Sequence, residues 1–136
     1  MDAARAARVM HLAMVGGLLA AAGVFVFLVE VRRFPPSAPP TVAAIVAVGS
    51  IALLAFGVVF LRRRIPERRF DETPASYWAM PERRVAAIVL WAVLEGAALL
   101  GLIGYLLTGA PAPAVAAGLA IAALAVCRPS SIAGAA

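Results

Sequence analysis

The chain has 136 residues, of which 64% are hydrophobic and 14% charged, against about 25% charged in an ordinary soluble domain. A mean hydropathy of +0.98 excludes a conventional water-soluble globule and points to an all-α membrane protein. The net charge of +5 rests on arginines that flank apolar segments, with no soluble domain to present them, which argues against nucleic-acid binding.

The first apolar segment covers residues 9–31, behind Arg5 and Arg8. It exceeds an ordinary signal-peptide core and suits a retained transmembrane helix. Ala13, Gly17 and Ala21 form a small-x-x-x-small series of the kind that lets helices approach closely in lipid. His11, near the start, reads as a solvated interfacial residue. Residues 32–40 contain Pro35, Pro36, Pro39 and Pro40, a stiff extended tether, with Glu30 and Arg33 placed to pair at the helix end. The second segment, residues 42–61, carries Ser50 near its middle.

Residues 62–84 form the one sizeable polar loop. Arg62, Arg63 and Arg64 open it as a stop-transfer cluster, and Thr73 followed by Pro74 predicts an N-cap and a short helix over residues 75–80. Tyr77 and Trp78, with Phe70, sit where aromatic side chains anchor to headgroups. The third segment, residues 85–107, has two further small-residue pairs, Ala92 with Gly96 and Ala97 with Gly101. The fourth, residues 110–127, is the shortest; Pro113 suits its first turn, and Pro129 would end it beside Arg128.

Four transmembrane helices in one integral domain, residues 1–136, are therefore expected, with a re-entrant segment as the alternative for the fourth. If they alternate, ten of the twelve arginines lie on one side and only Arg32 and Arg33 on the other. By the positive-inside rule both termini and the central loop are cytoplasmic, giving a multi-pass protein of the inner membrane. Aligning the first and third segments at an offset of 79 matches Arg5, Ala13 and Gly17 with Arg84, Ala92 and Gly96, a faint internal repeat.

Glu95 is the residue that asks for an explanation, since it lies ten positions from the start and twelve from the end of the third segment. A carboxylate at that depth costs about 3 kcal/mol on insertion scales, while the twelve Val, Ile and Leu residues of the same segment return roughly 4 to 7 kcal/mol. The helix inserts, but no Arg, Lys or His of the chain shares the depth, so burial favours the protonated carboxyl unless an ion or another subunit supplies charge. Ser50 is the polar residue at matching depth and the expected partner, with Trp91 one turn away as a shield. Three roles fit: proton or ion exchange, a fixed interhelical hydrogen bond, or an acid tolerated beside a water cavity.

The stretch Val93-Leu94-Glu95-Gly96-Ala97-Ala98-Leu99-Leu100-Gly101-Leu102-Ile103 resembles the ion-carrying helix of rotary ATPase c-type proteolipids. That resemblance implies a proton- or ion-binding role for Glu95 in an oligomer. The order of segments, the Leu-Glu-Gly step in the third and the final Arg-Pro also resemble small four-helix bacterial membrane proteins, which implies no activity. A single cysteine, Cys127, and a single histidine leave no disulfide, no redox pair and no two-histidine haem within the chain, and nothing clusters as a metal site. The expectation is a non-enzymatic membrane subunit without cofactor or metal. Its partners would be the lipid bilayer and other membrane subunits, with Glu95 either titrating in proton transport or fixed in an accessory, structural role.

Overall fold

The computed structural model describes residues 2–31 and 37–134. The tether's Arg32, Arg33, Pro35 and Pro36, and with them the Glu30–Arg33 pairing, lie outside the described residues. All regular elements described are helical. α1 (Ala3–Glu30) is followed by α2 (Pro40–Ala55), which continues through a π-helical stretch, Phe56–Leu61, into the single turn α3 (Arg62–Arg64). Then come α4 (Pro74–Ala79), α5 (Pro81–Thr108), α6 (Pro111–Val126) and α7 (Pro129–Ile132). Three units are long and apolar enough to cross a membrane: α1 with 28 residues, Pro40–Arg64 with 25 and α5 with 28. α6, with 16 residues, measures about 24 Å at helical rise against roughly 30 Å of hydrocarbon.

Prolines set most helix starts. Pro40, Pro74, Pro81, Pro111 and Pro129 each stand in the first turn, where the missing N–H would have had no intrahelical partner. Thr73 caps α4 as its sequence context predicts, its Oγ1 accepting from the Ser76 N–H at 3.2 Å. α5 ends at Gly109, whose φ of 64° is left-handed and whose N–H donates to the Tyr105 carbonyl at 2.7 Å. That turn folds α6 back along α5.

α5 is the helix on which the others pack. A Cβ built on Gly101 would come within 2.7 Å of the Pro113 carbonyl oxygen and 2.9 Å of the Ala117 backbone nitrogen, so the α5–α6 hairpin closes on backbone. α2 runs antiparallel to α5: Val46 meets Gly104, the Ser50 hydroxyl donates to the Ala97 carbonyl at 2.8 Å, and Gly57 in the π-helical stretch meets Val93 and Leu94. α1 runs in the same direction as α5. His11 lies against Trp91 with ring centroids 5.1 Å apart, and near the other end the Tyr105 hydroxyl donates to Glu30 Oε1 at 3.4 Å.

A short helix ending inside the bundle leaves carbonyls that lipid cannot satisfy. Side chains from three segments supply the donors. His11 Nε2–H donates to the Leu124 carbonyl at 2.8 Å, Trp91 Nε1–H to the Cys127 carbonyl at 2.7 Å, and the Ser131 hydroxyl to the Val126 carbonyl at 2.7 Å. His11 is thus 4% exposed, which corrects the solvated reading: an acceptor-only carbonyl at the end of α6 holds the imidazole inside.

The same end carries a row of rings. Trp91 faces Trp78 at 6.1 Å between centroids, Trp78 meets Tyr77 edge-on at 5.3 Å, and the Arg83 guanidinium sits 4.5 Å above the Tyr77 ring. Tyr77 and Trp78, expected against headgroups, are instead buried in protein at 0% and 2% exposure. The α4 turn tucks their rings beneath α1 and α5, and the Tyr77 hydroxyl donates to the Pro66 carbonyl at 2.7 Å. Burial pushes the Tyr77 phenol above its ordinary value, so it remains a donor at neutral pH. Arg62 leaves the stop-transfer cluster to donate to the Ser131 carbonyl at 3.0 Å, whereas Arg63 and Arg64 are exposed.

Arg83 also pairs with Glu72 at 2.6 Å. This hydrogen bond holds the Glu72 carboxyl below its ordinary value near 4.5. Folding therefore favours the ionised form, and the stabilisation is present above pH 4.5 and fades as pH falls through the lowered value. Glu72→Gln is expected to lower the melting temperature at pH 7 and to melt with the parent protein in acid well below pH 4.5. An equal gap at both pH values would show that the pair contributes nothing through charge.

Candidate functional site

Exposure along α5 repeats every three or four residues. Val85, Ile88, Val89, Ala92, Leu99, Ile103 and Leu107 are open, while Leu90, Trp91, Leu94, Ala97, Ala98, Gly101 and Leu102 are buried. Glu95 and Gly96 lie along the open stripe and are half-buried. The carboxyl therefore stands at the edge of the bundle, on the side of the stripe toward α1.

At the arginine-rich end, α1 and α5 enclose an apolar cavity of about 230 Å³ lined by Ala6, Ala7 and Met10 from α1 and by Arg84, Ile88 and Trp91 from α5. Seven residues make nearly two helical turns. Ala13 thus follows Ala6, Gly17 follows Met10, and Glu95 follows Ile88, each on the face that lines the cavity and about 10 Å farther along. Ala13, Gly17 and Ala92 are exposed, and a Cβ built on Gly16, Gly17 or Gly96 would meet nothing within 4 Å. By that spacing Glu95 lies on the face of α5 that Ile88 presents to the cavity, and Ala13 and Gly17 lie on the corresponding face of α1, with Ala92 and Gly96 beside the acid.

The small-residue positions divide accordingly. Ala97 and Gly101 are spent within the chain, on Ser50 and on α6. Ala21 is half-buried on the inner side of α1, while Ala13, Gly17, Ala92 and Gly96 face outward. Ser50 is fully buried, but its hydroxyl is directed to the Ala97 carbonyl, and among the described residues no hydrogen bond joins Glu95 to Ser50 or to any other group. Trp91 is turned to His11 and the Cys127 carbonyl. Its ring closes the end of α6 instead of screening the acid.

Known proteins offer no guide to this site. No family model, curated protein or solved structure matches the chain. What the arrangement can do must be read from its chemistry: a single carboxyl at mid-helix, beside small residues and without an internal counterpart, can hold a proton, a cation or a donor brought by another chain. Among the described residues no three His, Cys, Asp or Glu side chains come together as a metal-binding group. The polar residues to which sequence reasoning gave other roles are His11 and Trp91, which close the end of α6. The available signal was the spacing of Ala4, Ala7, His11 and Leu18, which puts a lone polar group on the buried face of an apolar helix.

Proposed function

We propose that this chain is a four-crossing subunit of a bacterial inner membrane, with cytoplasmic termini and loop. It works in an oligomer or a larger membrane complex, where Glu95 exchanges a proton or ion. The observation that carries this reading is Glu95, half-buried at mid-helix on the edge of α5 toward α1 and without a hydrogen-bond partner among the described residues. A helix of another chain, seated against Ala13 and Gly17 of α1 and Ala92 and Gly96 of α5, would bring its own group to the carboxyl and screen it from lipid. The satisfied carbonyls at the end of α6 favour that helix as a short fourth crossing. Ten arginines on one side favour the orientation.

A structural accessory role is the second reading, with Glu95 held in a permanent hydrogen bond to a neighbouring subunit. Carbodiimide labelling of Glu95 in native membranes, repeated across a pH series and with Glu95→Gln as the blank, separates the two. Titrating exchange predicts labelling that declines as pH rises. Labelling that is absent or flat at every pH would sink the proton-exchange reading and leave the accessory one. Native mass spectrometry after gentle extraction should recover an oligomer or a mixed complex; a monomer alone would remove the basis for both.

A further inference from the structure

Two arginines away from Glu95 are placed by the fold at a common level. His11 and Leu124 are joined through the imidazole–carbonyl bond, Arg8 lies three residues before His11, and Arg128 lies four residues after Leu124. Each is about one turn beyond that contact, and each borders an apolar run, which begins at Val9 on α1 and ends at Cys127 on α6. Both are exposed, and among the described residues neither forms a salt bridge. Between them is a cavity of about 440 Å³, lined by Arg8, His11, Leu12, Arg128, Pro129 and Ser130. Leu12, 67% exposed, forms its wall one turn deeper than Arg8. A second cavity of about 260 Å³ shares Arg8 and Ser130 and adds Arg68 from the central loop.

We infer that this cavity is a binding site for an anionic phospholipid, with Arg8 and Arg128 taking the phosphate, Ser130 adding a hydroxyl, and an acyl chain descending past Leu12. Charge complementarity selects the occupant. Two guanidinium groups without carboxylate partners among the described residues present donors suited to phosphate oxygens, and a third, Arg68, lines the adjoining cavity while donating to the Gly134 carbonyl at 3.3 Å. Depth selects the source. Arginines at the boundary between apolar helix and water stand at the level of lipid phosphates, and basic pockets between transmembrane helices hold such headgroups. An apolar wall immediately below the charged mouth suits an amphiphile and gives nothing to a free ion.

The test uses the full chain, delipidated in detergent and titrated with phosphatidylglycerol, cardiolipin or phosphatidylcholine under native mass spectrometry. Anionic lipid should bind in preference to phosphatidylcholine. The double variant Arg8→Gln/Arg128→Gln should weaken that binding roughly 25-fold, taking about fivefold per arginine near a charged surface. Arg5→Gln/Arg63→Gln removes the same net charge from outside the cavity and should leave affinity within a factor of two or so. Neither Arg8 nor Arg128 donates a side-chain hydrogen bond to another described residue, and unchanged melting of the first variant confirms that it is folded. Equal binding of all three lipids, or equal loss in the two variants, overturns the site. Displacement of the lipid by millimolar inorganic phosphate would overturn the lipid assignment in favour of a soluble phosphate.

Discussion

Trp91→Ala is expected to loosen the arginine-rich end of the bundle and to produce the largest fall in melting temperature of any single truncation. Trp91 is 1% exposed and is the largest fully buried side chain. It touches His11 and Trp78 ring to ring and donates to the Cys127 carbonyl at 2.7 Å. Truncating a buried tryptophan costs about 3 to 5 kcal/mol through lost packing and the cavity left behind. The orphaned carbonyl adds to the loss, at about 1 to 3 kcal/mol for a buried acceptor without its donor. Trp91→Phe narrows the contributions, because it keeps an aromatic ring in the pocket while removing the N–H and part of the indole. Thermal unfolding in a mild detergent, followed by far-UV circular dichroism, should rank parent above Trp91→Phe above Trp91→Ala. A Trp91→Ala protein melting with the parent would show that α6 needs no closure at that end.

The second large effect is expected where α5 and α6 meet. Gly101→Ile places a branched side chain where even a Cβ would lie 2.7 Å from the Pro113 carbonyl oxygen. Backbone cannot move aside as a side-chain tip can, so the hairpin must part. Overpacking commonly costs about 1 to 3 kcal/mol, and this site belongs at or above the upper end. Gly96→Ile, five residues earlier on the same helix, is its counterpart, since nothing lies within 4 Å of a Cβ there. The monomer should tolerate it, while an assembly seated against Ala92 and Gly96 should not. Melting curves and native mass spectra of the two variants should therefore diverge: Gly101→Ile unstable, Gly96→Ile stable but dissociated. Loss of stability in Gly96→Ile, or an assembly that survives it, would place the subunit contact elsewhere.

Sequence reading reached the helical class, three long apolar segments and the start of α4, because a threonine N-cap followed by proline acts locally; it left Pro40 in the tether and read Pro129 as a helix end, whereas each opens a helix. It did not reach which way the helices face. In a soluble helix the polar side marks the outside, but here lipid-facing and protein-facing positions are both apolar, so Val85 outward and Leu90 inward look alike in the sequence. The division of the small-residue pairs had the same cause: Ala92 with Gly96 and Ala97 with Gly101 are chemically equivalent until α6 is seen to occupy one of them. For Glu95, the mid-helix position was readable from counting, and its partly open surroundings were not. The Ser50 partnership was inferred from shared depth, whereas the direction of the hydroxyl depends on helix rotation, and that turned it to the Ala97 carbonyl.

In the proposed four-crossing arrangement the brevity of α6 bears on the surrounding bilayer. Beside α1 and α5, each of 28 residues, the protein offers about 42 Å of helix, but along the α6 flank only about 24 Å. With α6 as the proposed fourth crossing, lipids beside it would meet a shorter helix than those beside α1 and α5, and their acyl chains would shorten or tilt to match it, a mismatch costing fractions of a kcal/mol per Å. A subunit seated against Ala92 and Gly96 leaves that short flank to lipid, so the deformation persists in the assembly and falls on the side away from the contact.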